Sequence, residues 1–233
     1  HSMYDGRING LWTECPRESD GTKQLKPNWV GWLSTEFYGS PSHHILVYDY
    51  AVGGATVVSS SPQSRITCVT EQIQDQFLPH VGKKPDWAPW TASDSLFVTW
   101  IGINDMAHCM SGEYDTFIRQ NLNTLFQHQT SLYNAGARNF LFIDLPPIHL
   151  CPRSRGDGAP FRLWNTILAE YVATFAAQHD EATTMVFSSY RTFSEILADP
   201  KRHGFENSER ALYCRERACG FLDAQPAAPQ EEV

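Results

Sequence analysis

Leu96-Phe-Val-Thr-Trp-Ile-Gly-Ile-Asn-Asp105 is the stretch whose reading decides the fold. From Leu96 to Ile101 it is β-branched, aromatic or aliphatic with almost no interruption. A strand with one wet face alternates apolar and polar residues, whereas a short continuous run suits a strand covered on both faces, as in a parallel sheet. Two more runs of this kind flank it, Ile45-Leu-Val-Tyr-Asp-Tyr50 and Asn139-Phe-Leu-Phe-Ile-Asp-Leu145, with a weaker fourth at Thr184-Met-Val-Phe-Ser188. Helical spacing fills the intervals. Ile66, Val69, Ile73 and Phe77 share one face, and so do Phe117, Leu122, Leu125, Phe126 and Leu132 in a helix that stops at Gly136. Leu163, Ile167, Leu168, Val172 and Phe175 mark a helix from about Phe161 to Gln178, and a short one covers Phe193 to Ala198 before Pro200. Strand and helix alternating at this spacing predict right-handed crossovers and a parallel sheet in a three-layer α/β fold.

Outside these elements, Asp5 to Lys26 reads as loop, and Asn28 to Phe37 as a helix with Trp29, Val30, Leu33 and Phe37 on one face. Periodicity fades after Gly204, and the proline-bearing stretch 224–233 has the composition of a mobile tail. A chain of 233 residues suits one domain, expected over 1–223.

Eighteen Lys plus Arg against 26 Asp plus Glu leave a net charge of −8, unsuited to a broad face for phosphate backbones, so no nucleic-acid partner is expected. No apolar run approaches the ~18 residues that would cross a bilayer, so no membrane partner is expected either. Among the six cysteines only Cys214 and Cys219 form a local pair, a loop that a disulfide would close in an oxidising compartment. One Cys-x4-Cys without a second pair is a weak metal pattern, and neither metal nor cofactor is expected.

In an open parallel sheet, ligands bind beyond the carboxyl ends of the strands. The first strand runs into Ala51-Val-Gly-Gly-Ala-Thr56 and the second into Trp100-Ile-Gly-Ile-Asn-Asp105. A glycine that brings a bare N–H close to a ligand, with an Asn carboxamide from the next loop, would surround a developing oxyanion. Each piece has an ordinary alternative: paired glycines serve tight turns, and Asn-Asp after a strand caps helices. Their occurrence at successive strand ends favours the chemical reading.

These residues resemble the SGNH or GDSL hydrolases, and within them the fungal carbohydrate esterases of the acetylesterase type. Tyr48-Asp-Tyr-Ala-Val-Gly-Gly-Ala-Thr56 is similar to the family's second block, with Asp49 where the fungal members often carry Asn. Val98-Thr-Trp-Ile-Gly-Ile-Asn-Asp105 is similar to its third, and Tyr133 to Ile148 to its fourth strand and Pro-Pro turn. The resemblance implies a flavodoxin-like three-layer α/β/α fold and a secreted carboxylester hydrolase releasing acetyl or short acyl groups from a small-molecule or saccharide ester. It implies that Gly54 N–H and the Asn104 amide are oxyanion donors. Gly53 and Asp105 are expected as substrate contacts, Asp105 having as its ordinary alternative a structural hydrogen bond within its loop. The family's Gly-Asp-Ser nucleophile motif and Asp-x-x-His base motif are not found in the chain. Ser2 is the serine nearest the expected place, and Asp199 with His203 is a poor substitute at four residues' spacing.

The text opens at His1-Ser-Met-Tyr-Asp-Gly6, which reads like the continuation of a missing serine. The family's strand order 2-1-3-4-5 then leaves the first strand absent between Ile45 and Leu96, splitting the sheet and leaving buried strand edges unpaired. A fragment of marginal stability is therefore expected. A noncatalytic relative that binds a carbohydrate or a partner is the alternative. His108 and His149 follow strand-end loops at the mouth of the expected site, and Trp12, Trp87 and Trp90 are either sugar platforms or ordinary core rings. No Gly-x-Ser-x-Gly elbow and no Gly-x-Gly-x-x-Gly turn is present, which disfavours the ordinary α/β-hydrolase and dinucleotide-binding folds.

Overall fold

The computed structural model describes residues 12–14, 25–35, 45–61, 64–109, 112–151 and 157–205. They fall into two compact units that divide between Ala51 and Val52.

In the first unit, β1 (Trp12–Glu14) pairs antiparallel with β2 (Leu25–Pro27), Trp12 opposite Pro27 and Glu14 opposite Leu25. The sequence reading had loop throughout this stretch. Strands of three residues are too short for alternation to register, so only the pairing reveals them. Helix α1 (Trp29–Thr35) starts at Asn28, whose Oδ1 accepts the N–H groups of Val30 and Gly31, both at 3.0 Å. Its apolar side is not a core face: Trp29 and Leu33 are half exposed.

The strand expected over Ile45–Tyr50 does not form, and Ile45 and Leu46 are exposed. Apolar composition suits a segment to pleating, but a strand exists only through a ladder partner, and no described strand pairs with this one. Asp49 Oδ1 instead accepts the Ala51 N–H at 2.9 Å in a local turn.

The second unit carries the α/β alternation. Helix α2 (Val69–Glu71) runs on as a π-helical turn, Gln72–Phe77, and is followed by β3 (Phe97–Trp100) and α3 (Ile103–His108). Then come α4 (Tyr114–Asn134), β4 (Asn139–Ile143), α5 (Ala159–Gln178), β5 (Thr183–Phe187) and α6 (Ser189–Ala198). The strands lie in the order β3-β4-β5, all parallel, with Phe97 beside Phe140 and Asn139 beside Thr183. Ile66 precedes the helix it was expected to join and is partly exposed, while Val69, Ile73 and Phe77 are buried as read. Gly136, at φ +106, follows α4 in the left-handed conformation that ends helices.

Phe97, Phe140 and Phe142 share one face of the sheet, and three elements cover it. Phe77 of the π turn meets Phe97 edge-on at 5.5 Å, Phe126 of α4 stacks on Phe142 at 5.1 Å, and Phe175 of α5 meets Phe140 at 5.2 Å. Phe140 and Phe142 are fully buried there, with Leu122, Leu125 and Ile167 from the helices. The opposite face differs from expectation: Val98, Met185 and Phe187 are 43%, 40% and 47% exposed. A continuous apolar run states what a strand tolerates on both sides, whereas cover depends on which helices cross over it.

Candidate functional site

Both loops singled out in the sequence belong to the second unit, and the structure brings them together. Val52 to Ala55 form a tight turn closed by the Ala55 N–H donating to Val52 O at 3.0 Å, with Gly54 at φ +86. A type II turn requires positive φ at its third residue, which glycine adopts without strain. Gly53 and Gly54 are exposed at the tip, and the Gly54 N–H has no acceptor among the described residues.

Beyond the turn the chain dives inward, and Ala55, Thr56 and Val57 are buried. The carbonyls of Thr56 and Val57 receive the N–H groups of Val69 at 3.0 Å and Thr70 at 3.1 Å. Those are first-turn donors of α2, which have no partner within the helix. The turn is thus mounted on a helix N-terminus.

The second loop is shaped by Gly102, at φ +122, immediately before α3. Asn104 and Asp105 then project from the first turn of α3 in different directions. Asn104 Nδ2 donates to Ala55 O at 2.9 Å, one residue beyond Gly54, which fixes the amide plane and leaves its second N–H without an acceptor among the described residues. Asp105 points inward, 1% exposed, and its Oδ1 accepts the Val57 N–H at 2.9 Å. Burial pushes its carboxyl up to about 6, opposed by that N–H, and Oδ2 has no partner among the described residues. Of the two readings of Asp105, substrate contact and structural hydrogen-bond partner, the structure has the second, with the carboxylate beneath the turn and holding Val57. The turn that carries the Gly54 N–H and the loop that carries the Asn104 amide are therefore joined at Ala55 O, above the buried bond between Asp105 and Val57. Amide donors on adjoining loops are groups able to receive negative charge from a carbonyl oxygen.

The sequence profile described as GDSL-like Lipase/Acylhydrolase matches residues 20–223. The chain belongs to that family. Its family fold is three-layer α/β, of which β3, β4, β5 and their helices are the described parallel sheet. An acetylesterase of Thermothelomyces thermophilus is 30% identical over 190 residues, covering 76% of this chain and 62% of that protein. A phosphatidylcholine-sterol acyltransferase of Aeromonas hydrophila is 24% identical, over 91% of this chain and 61% of that protein. A GDSL esterase/lipase of Arabidopsis thaliana is 24% identical, over 66% and 43%. The chain spans about three fifths of the length of the first two relatives.

Among the described residues, none of the remaining sequence candidates bonds to the Gly54 N–H or to the Asn104 side chain. Ser2 is outside the described residues. Asp199 Oδ1 accepts the Arg202 N–H at 3.3 Å, and both Asp199 and His203 are exposed. His108 is exposed, its Nδ1 2.7 Å from Asn104 O. The His149 ring stacks against Tyr190 at 6.0 Å, with Nδ1 buried and without a partner among the described residues. Trp90 is a half-buried ring, 5.3 Å from Phe97 and donating from Nε1 to Val81 O at 2.6 Å. Trp87 is 44% exposed.

A cleft of about 260 Å³ runs beside the turn, lined by Ser64, Arg65, Ile66, Thr67, Glu71, Asp75 and Gln76. Ile66 joins it to the turn: a Cβ on Gly54 would lie 3.0 Å from Ile66 Cδ1.

Sequence reasoning missed Asp144, at the end of β4. Its Oδ2 accepts from Ser188 Oγ at 2.6 Å, and its Oδ1 from Tyr190 N–H at 2.8 Å and Ser189 Oγ at 3.0 Å. The Asp144 carbonyl takes Trp100 Nε1–H at 3.1 Å, so one residue ties together the ends of β3, β4 and β5. The signal available was an acid at a strand end and two serines at the next, Asp144 and Ser188-Ser189.

Proposed function

We propose that the protein hydrolyses carboxylic esters, with Gly54 N–H and Asn104 Nδ2–H receiving the negative charge that builds on the carbonyl oxygen. The observation that carries this reading is the 2.9 Å bond from Asn104 Nδ2 to Ala55 O, which presents the amide beside the exposed Gly54 N–H. Preorganised donors of this kind cost no reorganisation as the tetrahedral intermediate forms. In this reading a serine hydroxyl, Ser2 being the candidate from the sequence, attacks the carbonyl carbon. The alcohol leaves with a proton, and water then cleaves the acyl-serine to free the acid. Likeness to an acetylesterase supports acetyl or another short acyl group as the part transferred. A saccharide as the alcohol and secretion from a fungal source complete the proposal. The polar cleft beside the turn supports a hydroxylated alcohol, and the short Cys214–Cys219 spacing supports secretion.

The test is hydrolysis of p-nitrophenyl esters of increasing acyl length and of an acetylated oligosaccharide by the purified protein, with labelling by a fluorophosphonate. Turnover fastest on acetate, with one serine labelled, supports the reading. An unlabelled, inert protein that still binds the oligosaccharide points to the noncatalytic alternative. Inertness without saccharide binding overturns both.

A further inference from the structure

We propose that His128 of α4 is a positioning residue for the oxyanion turn, acting through Thr70 on the Val57 carbonyl. The inference rests on reading Gly54 and Asn104 as oxyanion donors. Its starting observation is a chain of hydrogen bonds that one set of proton positions satisfies throughout. Thr70 Oγ1 lies 3.1 Å from Val57 O, a carbonyl that only accepts, and in this set the single hydroxyl proton points there. Thr70 Oγ1 also lies 2.9 Å from His128 Nε2. With its proton spent, the hydroxyl oxygen accepts, and Nε2 must carry the hydrogen.

The other ring nitrogen is decided from the opposite side. Gln74 Nε2 is 3.0 Å from His128 Nδ1 and 3.4 Å from Ser131 Oγ. Ser131 Oγ donates its own proton to Gln127 O at 3.2 Å, so it accepts from the Gln74 amide, and the amide orientation is set. Gln74 therefore donates to Nδ1, which must be bare. A neutral imidazole with hydrogen on Nε2 satisfies all of these contacts at once with the Gln74 amide oriented as it stands. Burial of His128 favours the uncharged form in the same direction.

This relay ends on a residue gripped from two sides. The Val57 N–H goes to Asp105, and its C=O takes both the Thr70 N–H and the Thr70 hydroxyl. Ala55 O, which holds Asn104, is two residues upstream, and Gly54 is one further. Rotation of the Val57 carbonyl propagates through Thr56 and Ala55 to both donors. His128 prevents it by holding the Thr70 hydroxyl in line, while Gln74 and Ser131 hold the imidazole. The relay thus connects α4 and the helix beginning at Val69 to the direction in which the turn presents its N–H.

The experiment uses the full chain as wild type, His128→Phe and His128→Gln, the last keeping a side-chain donor within reach of Thr70. Nitrogen-15 shifts of His128 at neutral pH report the tautomer. Amide hydrogen exchange at Ala55 and Val57 is read against Phe140 and Phe142 of β4. Steady-state kinetics on p-nitrophenyl acetate complete the set. The expected result is an Nε2-protonated neutral ring and exchange at Ala55 and Val57 about tenfold faster in His128→Phe, with β4 little changed. The kcat of His128→Phe should fall about tenfold at nearly constant KM, with most of it restored in His128→Gln. An imidazolium or Nδ1-protonated ring, exchange that rises equally in β4, or a glutamine variant no better than phenylalanine overturns the inference. If the wild type does not turn over the ester, the oxyanion reading fails, and the exchange and tautomer data still decide whether His128 holds the turn.

Discussion

Gly102 packs its backbone against the indole of Trp164: a Cβ on Gly102 would collide with ring atoms Cε2 and Cζ2. Trp164 is fully buried and has no room to retreat, and Gly102 itself sits at φ +122, a backbone conformation that L side chains rarely adopt. Gly102→Ala is therefore expected to lose about 3 kcal/mol or more of stability through combined strain and overpacking. Urea unfolding of the two proteins measures it. A loss below about 1 kcal/mol would show that the indole yields, contrary to the packing described.

Asn104→Ala deletes one of the two proposed donors together with its bond to Ala55 O, and leaves the bond between Asp105 and Val57 in place. The rate on p-nitrophenyl acetate should drop by roughly 10²–10³ in kcat with little change in KM, because the bond is made to charge that exists only in the transition state. An undiminished kcat removes Asn104 from the mechanism.

Asp105 makes stability depend on pH in an unusual direction. Burial raises its carboxyl from 3.8 to about 6 in the folded protein, so the folded state holds this proton more tightly than the unfolded chain does. Its contribution is full below pH 4 and is lost as pH rises to about 6, on the order of 2–3 kcal/mol in all. Asp105→Asn cannot titrate. Unfolding free energies at pH 4.5 and 7.5 should show that wild type loses stability, relative to the variant, on going to the higher pH. Parallel pH dependence in the two proteins would place the Asp105 carboxyl at its ordinary value.

Asp144→Ala removes the acceptor for the Ser188 hydroxyl and the Tyr190 N–H, while Ser189 Oγ keeps the Asp144 carbonyl at 2.5 Å. Leaving these two half-buried donors unsatisfied at the start of α6 is expected to cost about 1–3 kcal/mol, and Asp144→Asn, which keeps one acceptor, less. Thermal melts followed by circular dichroism rank the three proteins. Equal melting temperatures for wild type and Asp144→Ala would mean that the joint at the strand ends contributes nothing.

Much of this architecture is written in short-range patterns. The helices from Tyr114 and from Ala159, the strands at Phe97, Asn139 and Thr183, and the stop at Gly136 follow from residue spacing and from glycine's freedom at positive φ. Gly54 and Asn104 were legible for the same reason, since each sits in a loop directly after an apolar run. The failures have a common cause too. Ile45–Tyr50 has the composition of a strand without a partner, and β1 and β2 have partners without the composition.

The amino-acid sequence by itself determined the alternation of strand and helix, and it determined which loops carry the amides, because spacing and backbone freedom act over a few neighbouring residues. Only the tertiary structure decided that Asp105 is buried against Val57, 48 residues away, and that His128 meets Thr70 across 58. Such pairings depend on where each crossover returns the chain, and a hydrogen bond lost by a displacement of about 1 Å is set by packing, which no local pattern records.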